Sequence, residues 1–220
     1  MNYSFNEKQY TSLCEIMGRY GSDKGSIDIC NSWHNYTTFY YSIFKDLCSK
    51  NLRVFELGLG TNNVNIPSNM GANGKPGASL YGWSEFFPNS SIFGADIDAE
   101  ILFNTDKIQT FYCDQTNPAV IKRMWDKPSL QENFDIIIDD GLHSFNANVT
   151  FFENSIHKLR PNGYYIMEDI QKHDERSFID KIKVWENQYP DCSFTLLKLP
   201  SVRNNCDNTL IVIFKKEKTV

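Results

Sequence analysis

Two apolar runs of strand length in this chain end abruptly in acidic residues. The acids are Asp139 and Asp140 after the first run, and Glu168 and Asp169 after the second. The carboxyl ends of neighbouring parallel strands open onto one crevice, so adjacent strands would bring these side chains together. Carboxylates that share a crevice repel one another, and an all-oxygen set suits a hard divalent ion such as Mg²⁺. The alternative is that one pair forms a turn and the other caps a helix.

The composition favours one α/β domain and argues against nucleic acid as a partner. The chain has 220 residues and a formal net charge of −5, and no cluster of basic residues offers a surface for phosphates. Its six cysteines form no C-x-x-C pair, which favours a reducing compartment. The N-terminus lacks the layout of a signal peptide, and no apolar stretch reaches the ~18 residues of a membrane span. We therefore expect a cytoplasmic protein that does not insert into membranes.

Strand-like runs alternate along the chain with segments of helical periodicity. The runs span residues 52–57, 91–97, 108–114, 134–140, 163–170, 193–200 and 209–216. Between them, residues 145–159 and 174–189 place apolar side chains on one helical face. This alternation indicates a mostly parallel sheet, whereas residues 201–208 are too few for a parallel crossover. The pattern predicts a doubly wound, seven-stranded, Rossmann-like α/β sheet that ends in an antiparallel hairpin.

The first 50 residues precede the first strand and contain two candidate helices, at 6–19 and 37–49. This segment is too short to bury a core of its own. We therefore expect one structural domain, in which residues 1–50 form a helical lid over the crevice and residues 51–220 form the core.

A Gly-x-Gly turn after the first strand predicts a place where a ligand approaches the backbone. Gly58 and Gly60 form this turn, and Glu56 precedes it. A dinucleotide fingerprint would place a third glycine at the position of Asn63, with a helix starting directly afterwards. A cofactor without phosphate needs neither the third glycine nor a helix directly after the turn. The Glu56 carboxylate suits the ammonium group of a methionine moiety. The neighbouring residues that we assign to the same cofactor are Thr61, Asn62 and Ser79.

Acids at the ends of the next two strands complete a candidate adenosyl site. Asp96, with Asp98 as the second choice, can accept hydrogen bonds from both ribose hydroxyls. Asp114, which Gln115 follows, is placed to accept a hydrogen bond from the adenine amino group. The alternatives are that Asp98 and Asp114 cap the helices that follow them. Three successive strand ends that each supply an acid favour a binding site over capping alone.

The order of these motifs along the chain resembles that of one known family. The motifs occupy residues 55–60, 94–98, 138–143, 159–164 and 168–169, and upstream of them lie Gly21-Ser22-Asp23-Lys24-Gly25 and His34-Asn35-Tyr36-Thr37 with Tyr40. Together they resemble the sugar O-methyltransferases of the macrocin and mycinamicin type, whose pattern cephalosporin-modifying homologues share. These are metal-dependent class I enzymes that use S-adenosylmethionine (SAM). The resemblance implies the class I methyltransferase fold, SAM, Mg²⁺ and a sugar hydroxyl as the acceptor.

The resemblance also assigns roles to the acidic cluster. It implies that Asp140, Glu168 and Asp169 are the metal ligands, with Asp139 beside them, and an exchange of roles between the two aspartates stays open. His143 is the preferred general base because imidazole titrates near neutral pH. Asp140 and Asp139 are the further catalytic candidates, and Asp139 is also counted with the cofactor residues. The candidate acceptor contacts are His34, Tyr36 and Tyr40, with ordinary aromatic packing as the alternative.

Two departures from the family bear on the acceptor. The sequence shows no counterpart of the extra N-terminal domain of the larger macrolide enzymes, and it carries an insert at residues 61–76. We therefore expect a sugar on a nucleotide, a surface polysaccharide or a glycolipid rather than a macrolide. The insert would wall the cofactor or acceptor pocket; the alternative is a flexible surface loop. We also expect a homo-oligomer.

Three other functions fit the sequence less well. A small phenolic or catechol acceptor would be served by the same chelating chemistry. A SAM-binding accessory subunit would need neither a metal nor a base, so the intact set of acids with His143 favours catalysis. An NAD-dependent dehydrogenase is disfavoured by the missing third glycine.

Overall fold

A computed structural model describes residues 3–25 and 33–217 of the protein. Strands β1 to β7 are Arg53–Leu57, Ser91–Asp96, Ile108–Tyr112, Phe134–Asp139, Leu159–Met167, Cys192–Lys198 and Thr209–Lys215. Helices α1 to α6 are Ser12–Tyr20, Tyr36–Phe44, Ala78–Phe86, Pro118–Trp125, Phe145–Ser155 and Glu175–Gln188. Residues 26–32 of the predicted lid lie outside the described residues.

The strands form one sheet in the order β3-β2-β1-β4-β5-β7-β6. The first five strands run parallel, and β7 lies antiparallel between β5 and β6. The doubly wound α/β sheet with a terminal hairpin is thereby confirmed. The strand order reverses between β1 and β4, and ligands bind in such sheets at the crevice outside the carboxyl ends of those strands.

Alternate side chains of each strand build two hydrophobic cores, one on each face of the sheet. On β1, Val54 belongs to the core that contains side chains of α1, α2 and α3, whereas Phe55 belongs to the core that contains side chains of α4, α5 and α6. The same alternation places Ile136 and Ile138 of β4 with the first core and Ile137 with the second. Successive side chains of a strand point to opposite faces, so a strand residue faces one helical layer and not the crevice beyond the strand end.

Helices α1 and α2 contribute to the core on the α3 face of the sheet. Leu13 and Met17 of α1, and Phe39 of α2, are completely buried there. Helix α1 begins later than predicted because the Thr11 side chain caps it, and it ends where Gly21 adopts a left-handed conformation. These helices therefore pack as part of the domain. Their action as a lid stays a prediction.

Two further boundaries differ from the predicted ones. Strand β5 begins at Leu159 rather than at residue 163, because Leu159 already pairs with Phe134 before a shift in register. The helix expected after Asp98 is only the 3₁₀ turn Ala99–Ile101. Within the described part of the chain, no helix combines the length and the apolar character that a membrane crossing requires.

Candidate active site

A cavity of about 240 Å³ opens at the carboxyl ends of β1 and β4. The predicted residues that line it are Gly58, Gly60, Thr61, Asp96, Asp114, Gln115, Asp140, His143 and Asp169. The structure therefore brings the candidate adenosyl residues and the candidate catalytic residues to one cavity. Ile66, Pro67, Ser68 and Met70 of the insert line the same cavity, so the insert forms part of its wall, as predicted.

The turn after β1 passes directly against the loop after β4. Gly58 has φ 90°, and a Cβ atom at this position would overlap the carbonyl oxygen of Asp140. Only glycine tolerates both the left-handed backbone and this close approach. Asp96 braces the same turn, because its Oδ2 accepts a hydrogen bond from the Leu59 amide at 2.7 Å. Asp96 lines the cavity and stays our candidate for the ribose.

The catalytic end of the cavity is formed by residues from two adjacent loops. His143 Nε2 lies 3.1 Å from Asp140 Oδ1, and His143 Nδ1 lies 3.4 Å from Asp169 Oδ2. Asp140 and His143 come from the loop between β4 and α5, and Asp169 follows β5. Donor atoms of these three residues all lie within 4.8 Å of one another. The imidazole is thus held between two carboxylates.

Left-handed backbone is concentrated at this cavity. His143 (φ 54°), Asp169 (φ 55°) and Ser68 (φ 56°) all adopt it, and all three line the cavity. A non-glycine residue in this region costs free energy and persists where the surrounding structure imposes it, which is common at active sites. The strain therefore supports a functional interpretation of the acidic cluster, which capping alone would not require.

Lys24 lies at the centre of the acids and was missed as a site residue. Its side chain is buried, and Nζ lies 2.5 Å from Asp140 Oδ2, 2.6 Å from Glu168 Oε2 and 3.6 Å from Glu56 Oε1. Burial alone would lower the pKa of Lys24, but these three carboxylates and that of Asp23 outweigh it and raise the pKa well above its usual value. The available signal was its position in the upstream motif, residues 21–25.

Tyr36 and Tyr40 form hydrogen bonds to two acids of the site. The Tyr36 hydroxyl donates to Asp169 Oδ1 at 2.6 Å, and the Tyr40 hydroxyl donates to Glu168 Oε1. Both tyrosines are completely buried, so the predicted acceptor contact is not available to either of them in this structure. His34 is nearly buried as well, stacks on Tyr36 and places Nδ1 3.6 Å from Asp169 Oδ1. These side chains hold the carboxylates in place.

Glu56 does not line the cavity, and its predicted role toward the cofactor ammonium stays a prediction. It shares the strand face of Val54, so its carboxylate points at α3 and accepts hydrogen bonds from Ser79 Oγ and from Trp83 Nε1. Its side chain is fully buried. Burial raises the pKa of Glu56 despite the nearby Lys24 ammonium.

Asp139 is also turned away from the cavity, and its predicted catalytic and cofactor roles stay predictions. Its oxygens accept hydrogen bonds from Gln115 Nε2 at 2.7 Å and from Asn148 Nδ2 at 3.0 Å. Gln115 in turn accepts from the Leu142 amide at 2.7 Å. Burial raises the pKa of Asp139 to about 7. Asp139 therefore shapes the loop that carries His143, and Asp140 is the aspartate that faces the cavity.

The other candidate residues near the cofactor turn divide between the cavity wall and structural support. Asp98 accepts from Thr61 Oγ1 and caps the 3₁₀ turn through the Glu100 amide, so the capping alternative holds for it. Asn62 donates to the carbonyl oxygens of Gly71 and Gly74 and closes the insert. Asp114 lines the cavity and does not cap α4, whose N-cap is Asn117.

The electrostatics of the cluster fit a hard divalent cation. Burial raises the pKa of Glu168 well above its usual value and raises that of Asp169, so ionisation of both is opposed. Lys24 near Glu168, and His34 and His143 near Asp169, offset only part of this cost of ionisation, and a dication such as Mg²⁺ would offset the rest. Asp140 and Asp169 present carboxylates to one point. Both oxygens of Glu168 are engaged by Tyr40 and Lys24, so ligation by Glu168 requires the Lys24 ammonium to move.

His143 carries a proton in the absence of a cation. Burial lowers the pKa of His143, but Asp169 and Asp140 outweigh it and raise the pKa to about 10. We expect Asp169→Asn to lower this pKa, because the Asp169 charge is the largest influence that raises it. An NMR titration of the imidazole protons in metal-free protein measures the change, with Asp46→Asn as a control on the exposed surface. An unchanged titration in Asp169→Asn would show that the two side chains do not interact in solution.

Comparison with curated proteins identifies sugar O-methyltransferases as relatives, although no family model matches the chain. The chain is 32% identical to mycinamicin VI 2''-O-methyltransferase of Micromonospora griseorubida over 159 residues. This alignment covers 72% of the chain and 36% of that protein. The chain is 31% identical over 159 residues to 8-demethyl-8-alpha-L-rhamnosyl tetracenomycin-C 2'-O-methyltransferase of Streptomyces olivaceus, with coverage of 72% and 38%. The chain therefore matches less than two fifths of the length of these relatives.

Solved structures show the same fold. The MycE methyltransferase of the mycinamycin biosynthetic pathway, in complex with Mg and S-adenosylhomocysteine (SAH), superposes with a TM-score of 0.66 and 24% identity over 96% of this chain and 56% of that chain. The SAH-bound Podospora anserina methyltransferase PaMTH1 superposes with a TM-score of 0.55 and 13% identity over 95% and 89% of the two chains. By sequence, the chain is a relative of the sugar O-methyltransferases of the macrocin and mycinamicin type, and by structure it has the class I methyltransferase fold.

Proposed function

We propose that this protein is an O-methyltransferase that transfers the methyl group of SAM to a sugar hydroxyl with the help of Mg²⁺. One observation carries the proposal: a single cavity joins the candidate adenosyl residues to a cluster of Asp140, His143 and Asp169, of which His143 and Asp169 have a strained backbone. The sequence relatives are named as O-methyltransferases of sugar-bearing compounds, which supports the same reaction class. A SAM-binding module without catalysis would not need an imidazole between two carboxylates.

The residues of the chain divide the work of the reaction. Asp96 and Asp114 hold the adenosyl group, and the turn at Gly58 lets the backbone approach the cofactor. The acceptor oxygen forms its bond to the methyl carbon as the bond from that carbon to sulfur breaks, and His143 takes the hydroxyl proton. Asp169 orients the imidazole through Nδ1. A bound divalent cation supplies Lewis-acid assistance that makes the acceptor hydroxyl more acidic.

We further propose that the sugar is carried on a nucleotide or belongs to a polysaccharide or glycolipid. The insert supports this proposal because Ile66, Pro67 and Met70 form one wall of the cavity. The insert is a departure from the family pattern, so the departure lies at the cavity itself and favours an acceptor other than a macrolide glycoside. A cytoplasmic location and a homo-oligomeric state stay predictions.

Cofactor choice is the first test. We expect isothermal titration to show tighter binding of SAM than of NAD, because the turn after β1 lacks the dinucleotide fingerprint. Asp96→Ala should weaken SAM binding by about 1.5–3 kcal/mol, the worth of hydrogen bonds to a charged group. Asp106→Ala, at an exposed position, is the matched control. Tighter binding of NAD than of SAM by the wild-type protein would refute the proposed function.

A panel of acceptors then tests the reaction. We expect incubation with SAM and Mg²⁺ to add one methyl group to a nucleotide sugar or to a polysaccharide or glycolipid precursor, detected by mass spectrometry. Natural-product glycosides and catechols belong in the same panel as competing acceptor classes. Binding of SAM and Mg²⁺ without methylation of any compound would favour the accessory-subunit alternative.

A further inference from the structure

Ser68 connects the insert at residues 61–76 to the loop that carries His143. Its hydroxyl donates a hydrogen bond to the Leu142 carbonyl oxygen at 2.9 Å. This carbonyl belongs to the peptide group that joins Leu142 to His143, so the bond restrains the rotation of that group. Ser68 has a left-handed backbone (φ 56°), which a serine adopts only at a cost in free energy. The fold of the insert therefore imposes the position of Ser68.

Hydrogen bonds within the insert hold Ser68 in place. Asn62 Nδ2 donates to the Gly71 carbonyl oxygen at 2.7 Å and draws the two ends of the insert together. Asn69 Nδ2 donates to the Ile66 carbonyl oxygen at 2.8 Å and closes a turn around Ser68. A surface loop whose ends are close and whose side chains pack within it is an ordered element. The insert can therefore present the Ser68 hydroxyl in a fixed direction.

Gln115 restrains the other side of Leu142. Its Oε1 accepts a hydrogen bond from the Leu142 amide at 2.7 Å, and its Nε2 donates to Asp139 Oδ1 at 2.7 Å. The Gln115 side chain is buried, and a Cβ atom on Gly141 would overlap its Oε1. The side chain thus packs directly against the loop, and both ends of its amide group are engaged in holding that loop.

The two contacts meet at one residue. Ser68 holds the carbonyl of Leu142 and Gln115 holds its amide, so the peptide groups on both sides of Leu142 are restrained. The next residue is His143, whose left-handed backbone (φ 54°) persists because its surroundings impose it. We propose that Ser68 and Gln115 are positioning residues that together hold the Leu142 backbone and thereby orient the His143 imidazole for proton transfer. This role rests on the proposed function, in which His143 is the base.

Kinetics separate a positioning role from a contact with the cofactor. Ser68→Gly removes the hydroxyl and keeps the left-handed backbone accessible. Gln115→Met replaces the amide by an apolar side chain of similar length. Each variant should lower kcat about fivefold, the worth of one hydrogen bond, and leave the affinity for SAM in isothermal titration nearly unchanged. Weaker SAM binding with wild-type kcat would make the residue a cofactor contact and would overturn the proposal.

The double variant tests whether Ser68 and Gln115 act on the same backbone. Once one restraint on Leu142 is lost, removal of the second should cost less, so the combined loss of kcat should be smaller than the product of the two single losses. A combined loss equal to that product, or larger, would show that the two residues act through separate contacts and would overturn their shared role.

The NMR signals of the His143 imidazole provide a readout that does not depend on turnover. In metal-free protein both single variants should shift these signals, because the ring changes its orientation, whereas the signals of the exposed His173 should stay. Asn73→Gly and Gln188→Met are matched changes at exposed positions outside the cavity and should leave kcat and the His143 signals unchanged. Unchanged His143 signals in Ser68→Gly and in Gln115→Met would overturn the proposal. If the wild-type protein transfers no methyl group, the proposed function fails, and the NMR comparison alone decides whether the two residues orient the ring.

Discussion

Removal of divalent cations with a chelator should abolish methyl transfer, and added Mg²⁺ should restore it. The reason is electrostatic, because burial opposes the ionisation of Glu168 and Asp169. Lys24 and protonated His143 offset only part of the cost of ionising these two carboxylates. Release of SAH, measured with and without EDTA, reports the effect. Asp169→Asn should reproduce the loss of activity and leave SAM binding nearly intact, because Asp169 lies at the catalytic end of the cavity. Full activity in the chelator would show that the carboxylates are structural.

A variant of Glu168 tests whether this residue is a metal ligand or a structural partner of Lys24. Its oxygens are engaged by Tyr40 and Lys24, so its part in metal binding depends on whether the Lys24 ammonium moves. If Glu168 is a ligand, Glu168→Gln should raise the Mg²⁺ concentration needed for half-maximal activity by a factor comparable to that of Asp169→Asn. If Glu168 stays with Lys24, the variant should lose thermal stability instead, since it leaves a buried ammonium with one carboxylate fewer. Asp46→Asn serves as the surface control.

His143→Ala should lower kcat by about 10²–10⁴-fold with little change in the affinity for SAM or acceptor, because the proton transfer belongs to the transition state. The pH dependence follows from the charges around the imidazole. Without a cation, the pKa of His143 is raised to about 10, so the ring is protonated at neutral pH and cannot act as a base. A neighbouring dication opposes protonation and lowers this pKa. The wild-type rate should therefore rise with pH through an apparent pKa below about 10, and the variant should lose that rise.

A second histidine provides the control for this experiment. His173 has an exposed side chain and does not line the cavity, so His173→Ala should leave both kcat and the pH profile unchanged. Near wild-type kcat in His143→Ala would exclude it as the base. The proton would then pass to Asp140 or directly to solvent, because Asp139 is turned away from the cavity.

The sequence determined the sheet and the place of the site in this protein. Apolar runs of strand length, bounded by polar residues, identified all seven strands, and the short 201–208 connection identified the terminal hairpin. These features are local, because the apolar character of a run and the length of a loop can be read from consecutive residues. The positions of the acids directly after β4 and β5 could also be read from the sequence. The carboxyl ends of parallel neighbouring strands lie at one edge of the sheet, so these acids were expected there. Asp140 and Asp169 meet there.

Only the tertiary structure decided which of the acids face that edge. Glu56 and Asp139 are strand residues, and their side chains point into opposite helical layers, where Trp83 and Asn148 bind them. The sequence shows the alternation but not which helix covers each face. Asp140 lies one residue beyond β4 and escapes the alternation, so it reaches the cavity.

Contacts between residues far apart in the chain could not be predicted from the sequence. Lys24 and Asp140 are separated by 116 residues, and Tyr40 and Glu168 by 128. A lysine in a polar loop and a tyrosine in an apolar helix are ordinary surface and core residues until the fold places carboxylates beside them. Their roles depend on long-range packing, which no local pattern of residue types records. The acids at the strand ends could thus be predicted from local sequence. The groups that surround these acids and compensate their charge were determined by the tertiary fold.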